Sequence, residues 1–237
     1  MGGSLTVFEL VGLPGAGKTT LARGLLARLA AQGRTSGSTE SIGRLGNSRA
    51  SHLTRLAGFT LARGRYIPST WRLAAAVKPP TMARARFAAK LAVWPYRCSV
   101  ARARGYETVV LDQGILQSAW CVLLEGSLQP EDLLEEAIGE IFAGCKATFA
   151  FISVDLDVRS AAERIEGRPW RDAPFDRGQQ ENLRLLTQHA SQLERVVEAG
   201  VRATGAPHLR VDGTNPPADN AARIDAFVDA VLGSSVC

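Results

Sequence analysis

Gly12-Leu13-Pro14-Gly15-Ala16-Gly17-Lys18-Thr19 fills every fixed position of the pattern G-x-x-x-x-G-K-[ST]. The preceding stretch, Leu5-Thr6-Val7-Phe8-Glu9-Leu10-Val11, is apolar and β-branched and reads as a buried strand. The stretch after it repeats Leu21, Leu25 and Leu29 at four-residue spacing, as on one face of a helix. Strand, glycine-rich turn and helix together make the pattern a phosphate-binding loop and commit the chain to an α/β architecture. Its glycines let the backbone turn tightly, so that consecutive N–H groups and the helix N-terminus converge on one anion. Gly12, Pro14, Gly15, Ala16, Gly17, Lys18, Thr19 and Thr20 are the expected contacts of a nucleoside triphosphate. Lys18 would reach the β- and γ-phosphates, and the Thr19 hydroxyl would hold Mg²⁺.

The rest of the chain continues the alternation. Residues 107–112, 147–154 and 208–212 read as strands, and 130–141, 158–165, 181–199 and the segment after Pro216-Pro217 as helices. Asp157 is placed to cap the second of these helices. Residues 35–40 are a short Ser/Gly-containing candidate for a second strand, after a helix ending at Gly33. This pattern predicts a P-loop NTPase three-layer sandwich, a parallel sheet flanked by helices, with a helical acceptor and lid region. At 237 residues it suits a single domain, 1–237.

Charge is distributed unevenly. Residues 41–106 contain thirteen Lys and Arg and no Asp or Glu, while the remainder of the chain carries a net −8. Such asymmetry marks either a surface built for an anion or a solvated Arg-rich face. Helical spacing recurs in this basic segment, with Phe87, Leu91 and Trp94 at i, i+4 and i+7, and Pro95 is expected to kink or end the helix that holds Trp94. Cys98, Cys121, Cys145 and Cys237 are scattered, so free thiols in a reducing compartment are expected. With no signal-peptide pattern and no apolar run near ~20 residues, the expectation is a cytoplasmic protein without a transmembrane segment.

Two further elements bear on chemistry. Asp112 ends an apolar strand, where a carboxylate can bind Mg²⁺ through water or accept a proton from an acceptor hydroxyl. Arg164, Arg168, Arg171 and Arg177 fall on a helix end and the Gly/Pro-rich loop after it, residues 164–177, a composition suited to a lid that closes over phosphates.

Val109-Val110-Leu111-Asp112-Gln113-Gly114, continuing to Gln117-Ser118-Ala119-Trp120, is similar to the Asp-Arg strand end and following helix of the thymidylate kinase-like branch of P-loop nucleoside and nucleotide kinases. Residues 152–168 resemble that family's approach to its lid. Val211-Asp212-Gly213 resembles its last strand, which implies that Asp212 and Gly213 lie near the adenine. The resemblance runs through almost the whole chain and implies ATP and Mg²⁺ as cofactors, with Glu40 matching a carboxylate near the acceptor site. It also implies that the basic segment, about 41–106, builds the acceptor pocket, and it is compatible with a homodimer. One departure matters: Gln113 stands where the family carries an Arg that helps hold the acceptor's phosphate. That argues against an ordinary nucleoside monophosphate and for a re-purposed site with an anionic acceptor.

The sequence therefore points to an ATP-dependent kinase acting on a small hydroxyl- or phosphate-bearing acceptor, with Lys18, Asp112, Arg164, Arg168, Arg171 and Glu40 as its catalytic candidates. Thr19 and Asp112 are the metal candidates. A nucleic-acid end kinase or RNA-binding NTPase, and a nucleotide-dependent switch, stay open as rivals.

Overall fold

The computed structural model describes residues 4–43, 67–76, 88–124, 132–168 and 178–234. Strands β1 (Thr6–Gly12), β2 (Ser36–Ser38), β3 (Thr108–Leu111), β4 (Thr148–Asp155) and β5 (His208–Asp212) form one parallel sheet in the order β2-β3-β1-β4-β5. The helices are α1 (Lys18–Ala31), α2 (Thr39–Gly43), α3 (Ile67–Ala76), α4 (Trp94–Ala103), α5 (Ile115–Leu123), α6 (Asp132–Cys145), α7 (Val158–Glu166), α8 (Gln179–Thr204) and α9 (Pro217–Ser234).

Strand alternation assigns the two faces. Val7, Val11, Val109, Leu111, Phe149 and Phe151 pack toward α5, α6 and α8, and Phe142 of α6 meets Phe149 edge-on at 4.5 Å between ring centroids. Phe8, Leu10, Val110, Ile152 and Val211 face the other way, onto Leu21, Leu25 and Leu29 of α1 and Ile224 and Val228 of α9. Burial on both faces explains why the strands read as nearly continuous apolar runs. Each such side chain removed from water contributes roughly 1.5–3 kcal/mol. Among the described residues, no helix is long and apolar enough to cross a membrane.

The expected sandwich is thus present, and two local expectations change. Pro95 does not end the helix of Trp94: it occupies the first turn of α4, where its missing N–H leaves no bond unmade, and the chain turns at Val93 instead. The second strand shrinks to three residues, because Thr39 and Glu40 already belong to α2. Asp157 caps α7 as expected, its Oδ1 accepting from Ser160 N at 3.0 Å.

One charged residue interrupts the apolar face of β1. Glu9 is fully buried, and its Oε1 accepts from Leu116 N at 2.7 Å and Gln117 N at 3.2 Å, at the N-terminus of α5. Gly114 makes room for it: a Cβ there would lie 2.3 Å from Glu9 Cδ. Burial pushes the Glu9 carboxyl up to about 8, against the opposing pull of the α5 N–H groups. A pKa raised above its unfolded value contributes stability that is complete at low pH and is lost as pH rises toward 8. Unfolding titrations from pH 5 to pH 8 should therefore show Glu9 costing up to roughly 1.4 kcal/mol per pH unit, a slope that Glu9→Gln removes. An unchanged slope in the variant would show that Glu9 is ionised in the folded protein.

Candidate active site

The C-terminal ends of β1, β3, β4 and β5 define one edge of the sheet, and the candidate residues gather there. Gly15 and Gly17 have φ of +91° and +92°, a backbone region that disfavours any side chain. Gly12 is needed for a different reason: a Cβ would sit 2.5 Å from Val154 O on β4. Gly17 caps α1 without a side-chain hydrogen bond, and the first turn of α1 carries no acid. The amide groups of that turn are thus left for an anion. Ala16 is buried, Pro14 half-buried, and Thr20 exposed on the first turn of α1.

Lys18 donates through Nζ to Gly12 O at 2.7 Å and Leu13 O at 2.9 Å. Burial, helped by the charge of Arg168, pushes its ammonium down to about 8, while Asp112 and Cys121 pull the other way. The loop therefore holds its own cation on two carbonyls.

Asp112 follows β3 directly and is gripped from two sides. Its Oδ2 accepts from Thr19 Oγ1 and its Oδ1 from Thr39 Oγ1, each at 3.0 Å. A hydroxyl and a carboxylate in contact beside a phosphate cradle are the hard oxygen donors that fit Mg²⁺. No group of three or more His, Cys, Asp or Glu suited to a metal occurs among the described residues. A P-loop site needs only the two protein groups, with phosphate and water oxygens completing the shell.

Arg164, in the last turn of α7, donates from Nη1 to Gly213 O at 3.0 Å and Gly15 O at 3.4 Å. It thereby ties α7 to the P-loop and to the turn between β5 and α9. Gly213 packs so closely that a Cβ would meet Asp155 O at 2.9 Å and Ala16 O at 3.2 Å. The Asp212 carboxylate is spent within its own turn, accepting from Thr214 N at 2.8 Å and Thr214 Oγ1 at 2.7 Å. Beside this turn, a cleft of about 500 Å³ opens between the strand ends and α8, lined by Leu13, Asp155, Leu193, Arg210 and Asp212. Glu40 lies exposed on α2, next to Thr39. Arg171, Arg177 and most of the basic segment lie outside the described residues.

Two participants escape a reading of the sequence. Thr39 carries no motif, and only the placement of α2 beside β3 brings its hydroxyl to Asp112. Cys121, on α5, lies within electrostatic reach of both Lys18 and Lys90, and burial raises its thiol to about 11.

No family model and no curated protein matches this sequence. Among solved structures, the chain is similar to a deoxyadenosine kinase from M. mycoides with the product dCMP and a flexible dCDP bound. The likeness has a TM-score of 0.51 at 12% identity and covers 94% of this chain and 99% of that one. The fold is that of a P-loop NTPase, in the form found in a deoxynucleoside kinase.

Thr39→Val should leave thermal stability within about 1.5 kcal/mol, since it removes one partly buried hydrogen bond. It should weaken Mn²⁺ binding to the ADP complex, read by electron spin resonance, by roughly fivefold or more, and Thr39→Ser should restore it. Equal metal affinity in all three proteins would leave Thr39 without a role at Asp112. Triphosphate affinity should also fall as pH rises through about 8, because Lys18 must regain its proton to bind.

Proposed function

We propose that this chain is an ATP-dependent kinase that transfers the γ-phosphoryl group to a small, negatively charged acceptor bearing a hydroxyl or phosphate. The observation that carries the reading is the convergence of Lys18, Thr19 and Asp112 at the strand ends, with Thr19 and Asp112 already in contact. Support from outside the site is the nucleoside-kinase fold and the thymidylate kinase-like pattern from Val109 to Trp120.

In this reading the amides of Gly15, Gly17 and the first turn of α1 receive the phosphates. Lys18 leaves the carbonyls of Gly12 and Leu13 for the γ-phosphate, where a preorganised cation offsets charge developing on the transferred oxygens. Thr19 and Asp112 would hold Mg²⁺, which when bound would supply charge neutralisation at the phosphates. Arg164, Arg168 and Arg171 belong to a lid, residues 164–177, that excludes water and adds positive charge. Asp112 or Glu40 takes the proton of the acceptor hydroxyl as the new P–O bond forms and ADP departs. Asp212 and Gly213 flank the nucleotide base, the aspartate by shaping the turn rather than by contact. Residues 41–106, within a single domain of 237 residues, form the acceptor pocket.

The test is ADP release from Mg·ATP by the purified chain against nucleosides, nucleotides, phosphorylated sugars and RNA ends, with the product weighed by mass spectrometry. One small molecule should stimulate turnover and gain one phosphoryl group, and Lys18→Ala should lose about a hundredfold or more of that rate. Stimulation by RNA alone, falling steeply with salt, would move the reading to a nucleic-acid kinase. Full turnover in Lys18→Ala would remove the P-loop from the chemistry.

A further inference from the structure

Glu9 holds both ends of the turn that carries Asp112. Its backbone on β1 stands in parallel register opposite Leu111, the last residue of β3. Its side chain reaches the far end of the same turn, where Oε1 accepts from Leu116 N at 2.7 Å and Gln117 N at 3.2 Å. The Ile115 N–H pulls on the carboxyl in the same sense. Between Leu111 and Ile115 lie only Asp112, Gln113 and Gly114. A turn this short, anchored at each end to one residue, has little conformational freedom left.

The carboxyl also sets how closely the turn can approach β1. Gly114 packs against it so tightly that a Cβ there would lie 2.3 Å from Cδ and 2.6 Å from Oε1. Ser118 Oγ donates to Gly114 O at 2.6 Å and fastens the turn to α5. Packing within the sheet does not ask for an acid at this position. A leucine would fill a comparable volume, but it would leave the amides at the head of α5 buried without an acceptor. Glu9 is fully buried and its Oε2 meets no partner, so the described contacts of the carboxyl are those of Oε1 with α5.

Asp112 is the residue that this arrangement serves. Its two oxygens accept from Thr19 and Thr39, each at 3.0 Å. Those hydroxyls stand on α1 and at the start of α2, and neither element is joined to the turn in the chain. Their contacts therefore report where the turn lies. A shift of about 0.5 Å takes a 3.0 Å contact to the limit of hydrogen bonding.

We infer that Glu9 is a positioning residue for Asp112. Through the head of α5, its carboxyl oxygen fixes the turn where Asp112 meets Thr19 and, on the kinase reading that this rests on, the metal ion. Glu9 itself touches neither nucleotide nor metal.

The test is Mn²⁺ binding to the ADP complex of the full chain, read by electron spin resonance, with ADP binding in the absence of metal measured alongside by calorimetry. Glu9→Leu removes the acceptor at nearly constant volume and should weaken Mn²⁺ binding by about fivefold or more. Its metal-free affinity for ADP should stay within about twofold of wild type, a split that general loosening of the fold would not produce. Glu9→Gln keeps an oxygen at the amides and should recover most of the metal affinity. Glu9→Asp keeps the acid but is one methylene too short to reach, so it should behave like Glu9→Leu, and it decides the matter if the Leu variant fails to fold. Wild-type metal affinity in folded Glu9→Leu or Glu9→Asp overturns the positioning role. So does an equal loss in Glu9→Gln, because the acceptor oxygen would then not be what matters. A folded wild-type chain that binds no ADP overturns the kinase reading, and the role of Glu9 with it.

Discussion

The parallel register of β1 between β3 and β4 is the constraint on which the site depends. It sets Thr6 opposite Thr108 and Thr148, and carries Gly12 to the level of Val154. β3 stops at Leu111 opposite Glu9, three residues before β1 ends at Gly12, so Asp112 leaves the sheet at the same edge and meets Thr19 at the start of α1. A register slip of one residue would turn Phe8 and Leu10 toward the opposite layer and move Asp112 off Thr19. The apolar residues of the two layers thus fix the relative position of two polar groups that are 93 positions apart in the chain.

Glu9 shows what that constraint demands locally. Central strands of a sheet covered on both faces are expected to be apolar, and Glu9 is the ionisable exception on β1. It supplies the acceptor for the amide groups at the head of α5, groups that would otherwise be buried without partners. The turn Asp112-Gln113-Gly114 therefore rests on the floor of β1 through a polar contact as well as through packing. The fit depends on glycine at position 114, since any Cβ would occupy the space of the carboxylate.

What the sequence made legible was whatever is locally determined. The phosphate loop is a contiguous string whose glycines answer to backbone geometry, and Asp157 is a cap read within four residues. The long helices follow from periodicity, and the strands from their apolar, β-branched runs. Thr39 was illegible because a threonine before a short helix looks like any polar residue until α2 is set beside β3. Pro95 misled for a related reason: proline ends one helix and starts another equally well, and only the turn at Val93 decides between them. The resemblance sets Asp212 near the adenine, and the contacts of its carboxylate, which closes its own turn on Thr214, could not be read from its place after the last strand.

Charge followed the same division between what a segment contains and where it is put. The excess of arginine in residues 41–106 is plain in the sequence, yet composition alone does not separate a solvated face from a binding surface. Pairing does. Arg72 reaches across to Glu136 on α6, with both side chains well exposed, and such a pair adds about 0–1 kcal/mol. Arg97 has the opposite character, held over an indole with its Nε out of water and, among the described residues, no acid paired with it. The P-loop lysine is kept in a comparable way, on two carbonyls rather than on a carboxylate. A lysine held on carbonyls needs little reorganisation when negative charge arrives, and under the proposed kinase reading that favours electrostatic stabilisation of the transferred group.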